Sequence, residues 1–294
     1  MKIDANSVTF EPQDMAFVKK FGILKATEMA LDYHAEHPNL PFLYDAEQLA
    51  GFLGISRGEL NDIVNHIQKE YKETRLPKKD GTYRSLCVPS IRLRFCQDPI
   101  KEKILPQLPV SKFATAYQKG STTRGNAEPH IGKKFLLKLD ITDFFGSITF
   151  EQVQCAAFNT RYVSRQVGYL LTSLCCKDDS LPQGAATSPA LSNIVMYRFD
   201  DYIGRWCSQR QIAYTRYCDD MTFSANRPLY GVYQKVKTML REMGFELNES
   251  KTHFIGNDNR QSVTGLVVNE KLSIPSGYKR DLRQEVYYAL KFGV

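Results

Sequence analysis

Apolar residues recur at helical spacing from Phe17 to Tyr33, and the run from His37 to Pro41, with two prolines, breaks the pattern. Residues 45–53, the turn Gly54-Ile55-Ser56 and the stretch from Arg57 to Ile67 then read as helix, tight turn, helix, with Asp45 and Ser56 as N-caps. The first 75 residues or so are therefore expected to be helical. The segment from Lys78 to Arg84 centres on Asp80-Gly81, a pair that favours a hairpin because both residues tolerate positive φ, and strand-like residues continue to Val88 and Pro89. A helical stretch follows from Ile91 to Leu105, and residues 122–130 are polar and turn-rich. Residues 135–141 form the apolar run of a buried strand, which places Asp140 near its end.

Residues 181–189 predict a loop that opens a helix, with Ser188 as cap and Pro189 in the first helical position. One helix face is marked by Leu191, Ile194, Val195, Phe199, Tyr202, Ile203 and Trp206. Two short strands, from Ile212 to Tyr217 and from Met221 to Ser224, are expected to meet at Cys218-Asp219-Asp220. An amphipathic helix from Leu229 to Met243 ends at Gly244, and the segments 263–268 and 271–274, joined through Asn269-Glu270, predict a small hairpin. The order strand, helices, strand, turn, strand, helix, strand gives an α+β class, a sheet backed by helices.

Charge changes this picture in one place. The chain carries +7 overall, but residues 71–134 hold 14 basic and 5 acidic side chains, leaving the remainder slightly acidic. Basic residues interleaved with Tyr83, Phe95, Phe113 and Tyr117 suit a surface that follows phosphates. The helix pair at 45–67 resembles a helix-turn-helix, although Arg57, Asn61 and Asn65 are the only candidates for base contacts on its second helix, which favours plain packing. The seven cysteines show no CxxC spacing, so reduced and mostly buried thiols are expected. The start of the chain lacks the features of a secretory signal and no run of about 18 apolar residues occurs, so the expectation is a cytoplasmic protein without a membrane partner.

The candidate chemistry lies in aspartates. Neighbouring Asp219 and Asp220 at a strand turn are costly, because like charges so close repel unless a cation compensates them. With Asp140 from another strand end, the set could hold two Mg²⁺ ions about 3.5–4 Å apart, the arrangement for in-line displacement at phosphorus. A solvated turn would explain an Asp-Asp pair standing alone. The surroundings argue otherwise: Tyr217-Cys218-Asp219-Asp220 matches the Tyr-x-Asp-Asp signature of reverse transcriptases, and the residues from Asp140 to Phe145 are similar to that family's first catalytic motif. Between them, Leu181-Pro182-Gln183-Gly184 followed by Thr187-Ser188-Pro189 resembles the family's nucleotide-pocket motif.

The resemblance extends from about Arg75 to Pro275. Arg84 to Pro89, with Arg92 and Gln97, resembles the fingers motif, and Gly244 to Thr252 resembles the motif after the catalytic hairpin. Within the family the chain is most similar to the retron branch, because Asn126-Ala127 with His130 resembles its Asn-Ala-x-x-His segment and Val263-Thr264-Gly265 its Val-Thr-Gly segment. Cys218 stands where alanine is common in that branch.

The resemblance implies a right-hand polymerase fold with fingers, palm and short thumb, plus an N-terminal helical extension. Residues 1–75 would form the extension, 76–134 with 146–180 the fingers, 135–145 and 181–260 the palm, and 261–294 the short thumb or connection. It implies Asp140, Asp219 and Asp220 as metal ligands, helped by the Ile141 carbonyl, with Asp143 as a further candidate ligand and Lys251 near the departing pyrophosphate. Lys78 or Lys79 and Arg84 would hold the triphosphate, Gln183 and Gly184 would touch the nucleotide, and Phe145 would exclude a 2′-hydroxyl. Asn126, Ala127, His130, Val263, Thr264 and Gly265 are expected at an RNA-recognition surface. The implied partners are deoxynucleotides, a structured non-coding RNA serving as template and primer, its RNA–DNA heteroduplex and an effector protein of an anti-phage system. No region resembles a ribonuclease H domain. Rival readings are a group II intron-type reverse transcriptase, a catalytically inactive RNA-binding module and a two-metal nuclease.

Overall fold

The computed structural model of the protein describes residues 2–4, 7–77, 81, 83–159 and 163–293. Lys78, Lys79 and Asp80, at the tip of the expected basic hairpin, lie outside the described residues. The fold divides into two compact units, one of Met1–Val110 with Phe145–Val195 and one of Ser111–Phe144 with Met196–Val294. Elements are numbered in chain order.

The first unit begins with a short antiparallel pair, β1 (Lys2–Asp4) and β2 (Ser7–Thr9), followed by α1 (Met15–Phe21) and α2 (Ile23–Glu36). Gly22, at φ +77°, separates these helices where the apolar spacing alone predicts continuity. Phe17, Ala26, Tyr33 and Phe42 form a buried cluster beneath them. In α3 (Ala46–Leu53) and α4 (Arg57–Asn65) both expected caps are present: Asp45 accepts from the Gln48 amide, and Ser56 forms a capping box with Glu59. The helical expectation fails at Tyr71, where β3 (Tyr71–Pro77) starts and pairs along its whole length with β4 (Tyr83–Pro89). Both strands are largely exposed, so hairpin pairing rather than core burial defines them. α5 (Ile91–Pro99) runs on into a π turn at Ile100–Ile104.

The second unit contains α6 (Thr123–Ala127), β5 (Phe135–Asp140) and, later in the chain, the elements from Tyr197 onward. Between them the chain contributes α7 (Phe150–Val153), α8 (Arg165–Cys175) and α9 (Ser188–Val195) to the first unit. The helix expected from Ser188 to Trp206 is two helices, α9 and α10 (Tyr197–Ser208), with a turn at Met196. Ser188 does not cap α9: its hydroxyl donates to the Pro182 carbonyl. Tyr202, expected on the buried face, is 48% exposed, and its ring lies under the Lys235 ammonium.

β6 (Ala213–Tyr217), β7 (Asp220–Ala225), β5 and β8 (His253–Gly256) form one antiparallel sheet in the order β6-β7-β5-β8. Leu137, Leu139, Ile141, Met221, Phe223 and Tyr214 are all buried, consistent with the apolar runs of these strands. Backbone at Phe113 and Thr115 hydrogen-bonds Arg216 and covers the β6 edge. α11 (Tyr230–Glu242) sets Tyr233 against Phe254 of β8. The small hairpin differs from expectation: β9 (Ser262–Val263) and β10 (Leu266–Val267) turn at Thr264-Gly265, both at positive φ, while Val267 also bridges to Ser273. α12 (Ser276–Phe292) has no buried residue. Among the described residues no helix is long and apolar enough to cross a membrane.

Candidate active site

Strand register brings two of the three aspartates together. Asp140, the last residue of β5, is the direct partner of Asp220, the first residue of β7, so both side chains leave the same face of the sheet. Facing residues in such a ladder have Cβ atoms about 4.5–5.5 Å apart, and like charges placed there repel. Tyr217 pairs with Asp220 across the β6–β7 hairpin, so Cys218 and Asp219 form a two-residue turn, with Cys218 at φ +63°. The Ile141 amide donates to the Asp219 carbonyl at 3.2 Å, holding the turn against the end of β5. The Asn248 amide donates to the Asp140 carbonyl at 2.8 Å, which brings the following 3₁₀ turn, Glu249–Lys251, to the same strand end.

Electrostatics follows from this packing. Burial, then the neighbouring Asp219 charge, holds the Asp220 carboxyl above the usual carboxylate range; Asp140 adds to the effect, while Lys138 and Lys251 oppose it. Asp140 is only 5% exposed, and the Lys251 ammonium donates to both of its oxygens at 3.0 and 2.9 Å. That charge-assisted pair raises the Lys251 pKa. The donor set is all oxygen, as hard divalent cations prefer, and its mutual repulsion is what a cation relieves. It is the Lys251 ammonium that closes on Asp140; among the described residues no three Asp, Glu, His or Cys side chains are gathered closely enough to hold a metal ion. The oxygen donors suit such an ion by type, while in this arrangement the Lys251 ammonium supplies the counter-charge to Asp140. Asp143 is exposed and at φ +42°.

The expected nucleotide residues belong to the first unit. Arg84 is exposed on β4, and Phe145 is half-buried. The Cys87 amide of β4 donates to the Gln183 carbonyl at 2.7 Å, and a Cβ at Gly184, where φ is +121°, would meet the Cys87 carbonyl oxygen at 3.0 Å. The close approach that Gly184 permits is thus to the β4 backbone. Lys78 and Lys79 are outside the described residues.

The residues expected to face RNA require a correction. Asn126, Ala127, His130 and Val263 are at most 1% exposed, so their side chains are not on the surface. Asn126 accepts from Thr115 Oγ1 and donates to Thr264 Oγ1 at 3.3 Å, while Thr264 donates to the Thr123 carbonyl. The Asn-Ala-x-x-His and Val-Thr-Gly segments are therefore halves of one packed cluster, in which Ala127, Leu136, Val263 and Val268 share an apolar centre. The His130 ring nitrogens are hydrogen-bonded to Ser224 Oγ at 2.7 Å and Thr215 Oγ1 at 2.9 Å, joining this cluster to β7 and β6. Burial lowers the His130 pKa to about 3 and keeps the ring neutral. Only the turn at Thr264-Gly265 retains exposure.

Sequence reading assigns Tyr117 to a phosphate-following surface and misses Arg216 and Asp200 near the aspartates. Tyr117, at φ +60°, donates its hydroxyl to Cys218 Sγ at 3.1 Å. Arg216 and Asp200 form an ion pair in which both side chains have no solvent exposure. The available signal was a charge amid each apolar pattern: Asp200 beside Phe199 on a buried helix face, and Arg216 within a buried strand.

Residues 76–268 match the family model described as reverse transcriptase (RNA-dependent DNA polymerase). The chain is 28% identical over 270 residues to the retron Ec86 reverse transcriptase of Escherichia coli, covering 90% of this chain and 84% of that one. It is 34% identical over 233 residues to the retron Ec83 reverse transcriptase of Escherichia coli, covering 74% and 75%. With the retron Mx65 reverse transcriptase of Myxococcus xanthus it shares 32% identity over 268 residues, 83% of this chain and 62% of that protein. Among solved structures, telomerase from Candida albicans with a fragment of telomeric RNA aligns at a TM-score of 0.50 and 13% identity, over 77% of this chain and 52% of the other. That likeness is one of fold, and this chain spans about half the length of the telomerase chain.

Proposed function

Because the chain belongs to the reverse transcriptase family and to its retron-type branch of RNA-directed DNA polymerases, we propose that it copies a structured non-coding RNA into single-stranded DNA by two-metal nucleotidyl transfer. The observation that carries this reading is the register of β5 with β7, which sets Asp140 opposite Asp220 with Asp219 at the adjoining turn. Enzymes of this family use divalent metal ions, and Mg²⁺ bound by Asp140, Asp219 and Asp220, with the Ile141 carbonyl, would activate a primer hydroxyl and offset charge on the departing pyrophosphate. Lys251 holds a proton and a positive charge beside Asp140, which suits it to yield that carboxylate as a cation arrives and to face the pyrophosphate instead.

Residue roles carried by the family likeness complete the proposal. Arg84, with Lys78 or Lys79, would hold the triphosphate; Gln183 and Gly184 would border the incoming deoxynucleotide; and the Phe145 ring would collide with a 2′-hydroxyl. The division into N-terminal extension, fingers, palm and short thumb belongs to the same proposal. So do RNA acting as both template and primer, an effector protein in anti-phage defence and a cytoplasmic location.

The test is extension of a DNA primer on an RNA template with deoxynucleotides and Mg²⁺, comparing the parent with Asp219→Asn. The parent should extend the primer, and the variant should lose the activity by several orders of magnitude while remaining folded. Equal extension by both proteins would remove Asp219 from the reaction.

A further inference from the structure

The turn that carries Asp219 and Asp220 is held from behind by a buried charge pair. Arg216 lies on β6, two residues before Cys218, and Asp200 lies on α10; neither side chain has any solvent exposure. The guanidinium donates through Nε to Asp200 Oδ1 and Oδ2 at 2.9 and 3.1 Å and through Nη2 to Oδ2 at 2.6 Å. Its other arm, Nη1, donates to the carbonyl oxygen of Cys218 at 2.9 Å. Asp200 is fixed in turn by the Tyr214 hydroxyl at 2.7 Å, and the guanidinium lies 5.8 Å from the centre of the Phe144 ring. The Arg216 backbone is also tied on both sides, its amide to the Phe113 carbonyl and its carbonyl to the Thr115 amide.

A buried ion pair is a poor source of stability, because desolvating two charges offsets most of their attraction, and apolar replacements often do as well. What apolar side chains cannot do is donate to a carbonyl two residues along the chain. The Cys218 carbonyl belongs to the peptide that leads into Asp219, in a turn already held at positive φ. A planar guanidinium clamped by one carboxylate points its remaining arm in a fixed direction. We propose that Asp200 and Arg216 are positioning residues, which lock the Cys218–Asp219 peptide and thereby set the directions in which the Asp219 and Asp220 carboxylates point. The device rests on the polymerase reading only for its catalytic consequence; the locking of the turn stands apart from it.

Two variants test the device. Asp200→Asn with Arg216→Met removes both charges together, leaves no unpaired buried ion, and keeps an oxygen for the Tyr214 hydroxyl. Arg216→Lys keeps a cation for Asp200 but has no second planar arm to reach Cys218. In each folded variant, amide hydrogen exchange at Cys218, Asp219 and Asp220 should speed up at least about tenfold, with Met221 to Ser224 unchanged, because only the turn loses its anchor. In primer extension the kcat should fall about 100-fold, the scale expected of a 1 Å misplacement, with the KM for deoxynucleotide close to the parent's. Parental exchange rates at the turn in either folded variant overturn the proposal. So does a parental kcat in either variant where the parent extends primers; a parent that extends nothing instead defeats the polymerase reading, and exchange still decides the locking.

Discussion

His130 shows how one side chain can be mistaken for a ligand contact. A histidine in a polar, turn-rich segment reads as exposed, yet its ring sits between Thr215 and Ser224 and is kept neutral down to about pH 3 by burial. The unfolded chain takes up that proton near pH 6.5 and the folded chain refuses it, so the contribution of a neutral His130 is complete above pH 6.5 and is lost as pH falls toward 3. Thermal unfolding of the parent should therefore show a loss approaching about 1.4 kcal/mol per pH unit in that window from this group. His130→Gln, which keeps a donor and an acceptor, should flatten the slope; an identical slope in both proteins would assign the acid sensitivity elsewhere. The same burial governs Asn126. Since its amide bonds Thr115 and Thr264 inside the cluster, Asn126→Ala should reduce primer extension on a cognate structured RNA and on a generic template by similar factors. Selective loss on the structured RNA alone would return this segment to direct recognition.

Elements show where local pattern sufficed and where it did not. α3 and α4 form where their caps predict, since a cap is a local hydrogen bond between residues three apart. α10 depends on a distant partner: the ring of Phe113 lies directly against Gly204, where a Cβ would overlap it. Phe113 also carries the carbonyl that accepts the Arg216 amide, so Gly204 is the clearance that lets this segment cover the edge of β6. Gly204→Ala should lower stability by about 1–3 kcal/mol through overpacking, despite the better helix propensity of alanine. A raised or unchanged melting temperature would show that Phe113 can move aside freely.

On the scale of the whole molecule, the basic excess between residues 71 and 134 predicts binding governed by phosphates. Affinity for an RNA–DNA heteroduplex should fall linearly in a double-logarithmic plot against salt, and a slope near zero between about 50 and 200 mM would contradict a binding mode built on phosphate contacts. The sequence by itself determined the α+β order, the strand ends that carry Asp140, Asp219 and Asp220, and the reverse transcriptase likeness, because apolar periodicity, turn chemistry and short motifs are all read over a few neighbouring residues. It could not show that Asp140 faces Asp220, that Lys251 closes on Asp140, or that Arg216 and Asp200 share a buried pair beneath the turn. Nor could it show that Asn126 and Thr264, 138 residues apart, are joined. Those facts depend on strand register and on long-range packing, where a charged or polar residue is placed by partners far along the chain; only the tertiary structure decides whether such a residue meets solvent, substrate or another side chain.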